Sequence, residues 1–141
     1  MTVKEGWLRK NHKGGSWSSA NARRWFVSQG FHVFYYEDNT KTSIRGHFDL
    51  RNVVHIRTST DTSAPEAVDI HVAEGATNKI TKRLIVSFVM DVSTKSVWLR
   101  LWCSAIEPAY VDATLKGLID TPLHSQYNVE YAQQVLHELR T

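Results

Sequence analysis

The chain has 141 residues, 42% hydrophobic and 22% charged, with one cysteine and a formal net charge of +3. That balance fits one globular domain with a real core, and excludes a disordered tail, a repeat array or a disulfide-stapled scaffold. The charge is uneven, since residues 1–60 hold ten Lys or Arg against four acids, +6, and residues 61–141 hold seven against ten, −3. A basic half facing an acidic half suits docking on a negatively charged surface, either phosphate headgroups or nucleic acid.

The start MTVKEG lacks the apolar core of a signal peptide. The longest apolar run, Leu84 to Met90, is broken by Ser87 and is too short to span a bilayer. A soluble or peripheral protein is expected, in a reducing cytoplasm that suits Cys103 as a buried thiol.

Short segments rich in aromatic or β-branched residues come first. Val3 to Lys10, Ala22 to Gln29, Phe31 to Glu37, Ser43 to Leu50 and Val53 to Ser59 read as a five-stranded meander, with turn residues between them. Lys10 has the parity of Leu8 and Arg24 the parity of Phe26, so each cation is expected on the face that buries its apolar neighbour. A cation on the buried side needs an anionic partner. The loop between these strands, HKGGSWSSAN, holds His12, Lys13 and Trp17 among Gly and Ser. An indole at the tip of a basic loop suits the bilayer interface, with its ring in apolar surroundings and its N–H wet.

Three further strand candidates follow at Ala67 to Ala73, Lys82 to Met90 and Ser96 to Ser104, for seven or eight strands in all. Trp7, Trp25, Trp98 and Trp102 fall within strand patterns and are expected to pack in the core or at a seam. Around Ser104 the period changes. Val111, Leu115, Leu118 and Ile119 recur at helical spacing, Pro108 suits a first turn, and Ser104 with Glu107 reads as a capping box, so Glu107 to Asp120 is expected to be an amphipathic helix. After Thr121-Pro122 a second helical stripe runs through Tyr127, Tyr131, Val135 and Leu139.

Strands first and helices last predicts a mainly β domain with helices at its C-terminal end. The residues that carry it resemble the pleckstrin homology domain: KEGWLRK at Lys4 to Lys10, RRWFV at Arg23 to Val27, VFYY at Val33 to Tyr36, IRGHFDL at Ile44 to Leu50 and NVVHIR at Asn52 to Arg57. The resemblance implies a seven-stranded bent barrel or sandwich over residues 1–120, capped by the helix after Ser104. An extra helix would lie in a C-terminal extension at residues 121–141. It also implies a non-enzymatic module whose basic open end binds anionic phospholipid headgroups, most often phosphoinositides, and recruits the protein to the cytoplasmic face of membranes. Lys10 and Arg24 match the core of that site, and Tyr35 matches a phosphate-binding tyrosine, with Tyr36 as the register alternative. Arg45 matches a fourth-strand arginine, and His12 and Lys13 are further donors. Ala22 departs from the pattern, which has a cation two residues before the arginine, and most members carry a Trp in the middle of the helix, which Tyr110 to Asp120 lacks.

The chemistry is sound, because inositol phosphates present several dianionic groups and need Lys and Arg converging from separate strands. Weakly selective binding of phosphatidic acid or phosphatidylserine is the alternative within this class. A protein-interaction adaptor using the C-terminal helices is the alternative outside it. The histidines show no HExxH or Cys/His spacing, and there is no Walker loop, GxSxG or GxGxxG, so no metal, cofactor or catalytic role is expected. Nucleic acid is not expected either, because the bases are not interleaved with an exposed aromatic stacking motif.

Overall fold

The computed structural model describes residues 3–12, 23–60, 66–74 and 79–120, together with 137 and 139; of residues 12 and 118–120 it describes the backbone. Seven strands, β1 (Val3–His12), β2 (Arg23–Gln29), β3 (His32–Tyr36), β4 (Ile44–Asp49), β5 (Val53–Thr58), β6 (Ala67–Glu74) and β7 (Lys79–Ser87), form one antiparallel sheet. Their order is β4-β3-β2-β1-β7-β6-β5. Strand β1 holds the sheet together: its first part pairs with β2, its last part with β7, and Arg9 lies opposite both Arg23 and Ser87.

Alternation along the strands sends one set of side chains inward. Leu8, Phe26, Val33, Phe48, Ile56, Ile70, Leu84 and Val86 build a single apolar core fed by every strand. Helix α1 (Lys95–Ala105) closes it, burying Val97, Trp98, Leu99 and Trp102. Trp102 is 0% exposed. Its ring meets Phe26, Phe48, Phe88 and Trp98 at centroid distances of 5.6–6.4 Å, and its Nε1–H donates to Ser28 Oγ at 3.2 Å. That bond satisfies the indole's polar atom, so the aromatic cluster carries no orphaned donor.

Two expectations for the C-terminal part are corrected here. The candidate strand Ser96 to Ser104 is helix α1, and it is α1, not the segment after Ser104, that caps the barrel. The helix tryptophan absent from Tyr110 to Asp120 is therefore present, as Trp98 and Trp102. The expected helix Glu107 to Asp120 is divided. A 3-10 turn at Pro108–Tyr110 leads to Val111, which bridges in parallel to Ile56, and only Ala113–Asp120 forms the second helix, α2. Ser104 makes no capping box, because its hydroxyl donates back to the Leu101 carbonyl, while Asp112 Oδ2 accepts from the Thr114 N–H at the start of α2. Leu115 joins the core. The second helical stripe falls on residues 121–136, 138 and 140–141, outside the described residues, apart from Leu139. No helix among the described residues is long and apolar enough to cross a membrane.

Candidate functional site

Four side chains from four strands meet at the end of the barrel remote from Trp102. Leu8 stands opposite Arg24, and Phe26 opposite Tyr35. Because directly opposed residues share a face, Arg24 and Tyr35 lie on the inner side, as do Lys10, two residues beyond Leu8, and Lys82, two residues before Leu84. The apolar core ends there and the cations begin.

Tyr35 is the centre of the group. It is 2% exposed, and its ring stacks on Phe26 at 5.3 Å. Lys10 Nζ sits 4.8 Å and Lys82 Nζ 5.8 Å from its centroid, and Lys82 Nζ also donates to the Tyr35 hydroxyl at 3.4 Å and to the His47 carbonyl at 2.8 Å. Gly46 faces Tyr35 across β3 and β4, and a Cβ at that position would overlap the phenol. Glycine is thus required by the close approach of the ring rather than by backbone conformation.

The electrostatics follow from crowding. Burial, then the Arg24 and Lys82 charges, lower the Lys10 pKa from 10.5 to about 8. Burial also lowers the Lys82 pKa, against the pull of Glu74, and raises that of Tyr35, against the pull of Arg24. Among the described residues no carboxylate lies within ion-pair distance of Lys10. The arrangement is a half-buried positive cluster capped by a phenol hydroxyl, which suits an anion with several oxygens.

The structure gathers some of the residues singled out in the sequence and separates others. Lys10, Arg24 and Tyr35 come together, and the register places Tyr35, not Tyr36, inside. Arg45 lies instead in an exposed ion pair with Glu37 at 3.1 Å. The backbone of His12 continues β1 opposite Leu84, next to the cluster. Lys13, Trp17 and Ala22 lie outside the described residues. Lys82 was missed, although its parity with Leu84 and Val86 was a readable signal. Trp7 and Trp25, expected in the core or at a seam, are a half-buried pair on the outer face, edge to face at 5.3 Å. Arg23 stacks over Trp7 at 4.1 Å, and Trp25 Nε1–H donates to Glu5 Oε1 at 2.9 Å. Cys103 is half-buried, with burial pushing its thiol pKa up to about 12.

Solved structures similar to this chain are pleckstrin homology domains. The human N-terminal PH domain of ARAP2 shares 16% identity at a TM-score of 0.53, with 87% of this chain and 89% of that one covered. The human PH domain of pleckstrin homology domain-containing protein family A member 5 shares 22% identity at 0.52, covering 87% and 82%. A further pleckstrin homology domain shares 14% identity at 0.55, covering 90% and 96%. No protein-family model and no curated protein matches. The chain has the pleckstrin homology fold.

Proposed function

We propose that this domain is a non-enzymatic membrane-targeting module. Its basic mouth, built from Lys10, Arg24, Lys82 and Tyr35, takes the phosphorylated headgroup of an anionic phospholipid, most readily a phosphoinositide. One observation carries the reading. Inner-face cations from β1, β2 and β7 converge around one buried tyrosine, and the pKa of Lys10 is lowered to about 8 partly by its two cationic neighbours. Like charges crowded at the edge of an apolar core are unfavourable by themselves and become favourable when a polyanion sits between them. Lys13 and Trp17 in the first loop would add attraction to an anionic leaflet and an interfacial anchor, the former at about 1 kcal/mol. Alanine at position 22 supplies no cation, which favours modest headgroup selectivity over tight selection.

Titration of the full chain with soluble inositol phosphates tests the site itself. Wild type should bind and compete with vesicle association, and Lys82→Ala should weaken binding about tenfold, the loss of one charge-assisted hydrogen bond. Equal affinity of wild type and Lys82→Ala for every inositol phosphate would remove Lys82 from the site. Vesicle binding that responds only to total anionic charge, and collapses in raised salt for every lipid alike, would replace the pocket by a diffuse basic surface.

A further inference from the structure

Two histidines come together on the outer face of β3 and β4, away from the mouth. Val33, Tyr35 and Phe48 belong to the core, so alternation turns His32, Phe34, His47 and Asp49 outward. His32 stands opposite Asp49 and Phe34 opposite His47, and the Phe34 ring stacks on His47 at 4.8 Å and on His32 at 6.0 Å. The two imidazoles lean toward each other across the strands. Their centroids are 5.2 Å apart, their planes differ by 29°, and Nδ1 of His32 lies 3.0 Å from Nε2 of His47. Fifteen positions separate the pair in the chain, so no local motif spacing announces it. The surroundings fix its place. Lys82 Nζ donates to the His47 carbonyl at 2.8 Å, and the Asp49 carboxylate accepts from Arg51 N–H, Nε and Nη2 at 2.8, 3.0 and 2.6 Å.

We propose that His32 and His47 chelate one divalent transition-metal ion, copper(II) ahead of nickel or zinc. The spacing carries the proposal. Two imidazole nitrogens about 2.0–2.1 Å from one ion, at an angle between a right angle and a tetrahedral one, stand about 2.8–3.4 Å apart, and the observed 3.0 Å falls inside that range. An ion therefore enters with ring rotation alone. In the neutral pair one nitrogen donates and the other accepts, so the donating ring moves its proton to its other nitrogen and both facing nitrogens then offer lone pairs. His47 is exposed, which gives the ion access from solvent. Among the described residues no three His, Cys, Asp or Glu are placed to hold a metal, and Asp49 is engaged by Arg51, so water fills the remaining positions. Two imidazoles without thiolate or a closed cage rank the metals by intrinsic affinity, which places copper(II) first. The ion ties β4, at the end of the strand order, to β3.

Calorimetric titration of the full chain, free of any histidine tag, with copper(II) tests the site. Wild type should take up one equivalent. His32→Gln and His47→Gln should each weaken uptake about a hundredfold, because the remaining imidazole loses a second ligand held at high effective concentration. His55→Gln is the control, since His55 and His71 form the other described histidine pair, with centroids 5.5 Å apart and His71 Nε2 facing the buried Asp69 at 3.3 Å, and it should bind as wild type does. Electron paramagnetic resonance of the copper-loaded wild type should show two imidazole nitrogens on the metal, a readout that depends on no variant folding. Absence of stoichiometric uptake, a spectrum with fewer than two imidazoles, unchanged affinity in folded His47→Gln, or a loss confined to His55→Gln would each overturn the proposal.

Discussion

At the scale of single residues, the mouth trades stability for charge. Lys10 is held near the apolar core with Arg24 and Lys82 beside it, so its pKa falls from 10.5 to about 8. The unfolded chain binds that proton more readily between those values, so Lys10 makes the fold more stable as pH rises through this window and less stable below it. Lys10→Met should therefore raise the melting temperature at pH 7 while weakening headgroup binding, and a drop in both would show that Lys10 is held by contacts that stabilise it. Because Lys10 loses its charge above about 8, headgroup affinity should fall between pH 7 and 9. Lys10→Arg, which stays charged, should flatten that profile in vesicle binding. At Gly46 the limit is space. Gly46→Ala would drive a methyl into the Tyr35 ring, with an expected cost of about 1–3 kcal/mol in chemical denaturation, and an unchanged midpoint would contradict the close approach.

At the scale of elements, parity arguments carried far. The strand patterns matched β1 to β6 within a few residues, and the inner-face parity of Lys10 and Arg24 followed from Leu8 and Phe26 alone. Helix α1 was hidden because SVWLRLWCS carries one Val and two Trp, and Leu99-Arg100-Leu101 alternates like a strand. Its true burial, at Val97, Trp98, Leu99 and Trp102, repeats at helical spacing, so packing against Phe26, Phe48 and Phe88 overrode local propensity. The end of β7 was misplaced for a related reason, since the apolar Val89 and Met90 prolong the strand pattern, whereas both are exposed in a 3-10 turn. Lys82 was lost to the site because it stood at the first position of the expected strand rather than in its middle. α1 is the keystone of the core. Trp102→Ala should cost about 3–5 kcal/mol and leave little folded protein. Trp102→Phe, which mainly removes the bond to Ser28 Oγ, should cost far less in the same denaturation experiment.

At the scale of the whole molecule, the sheet divides the labour. Its inner face buries the core at one end under α1 and gathers Lys10, Arg24, Lys82 and Tyr35 at the other. The net charge of +3 is carried by the first 60 residues, +6 against −3 for the rest, an unevenness that would favour an anionic surface under the proposed function. Long-range steering of this kind weakens in salt over a screening length of about 8–10 Å, whereas contacts inside a half-buried pocket persist. The most direct test is co-sedimentation of the full chain with phosphoinositide-containing liposomes, wild type against the Lys10→Ala, Arg24→Ala double variant, with folding verified by circular dichroism. Wild type should pellet with the liposomes and the folded double variant should stay in the supernatant; equal pelleting of the two with every anionic lipid would contradict a headgroup site at this mouth.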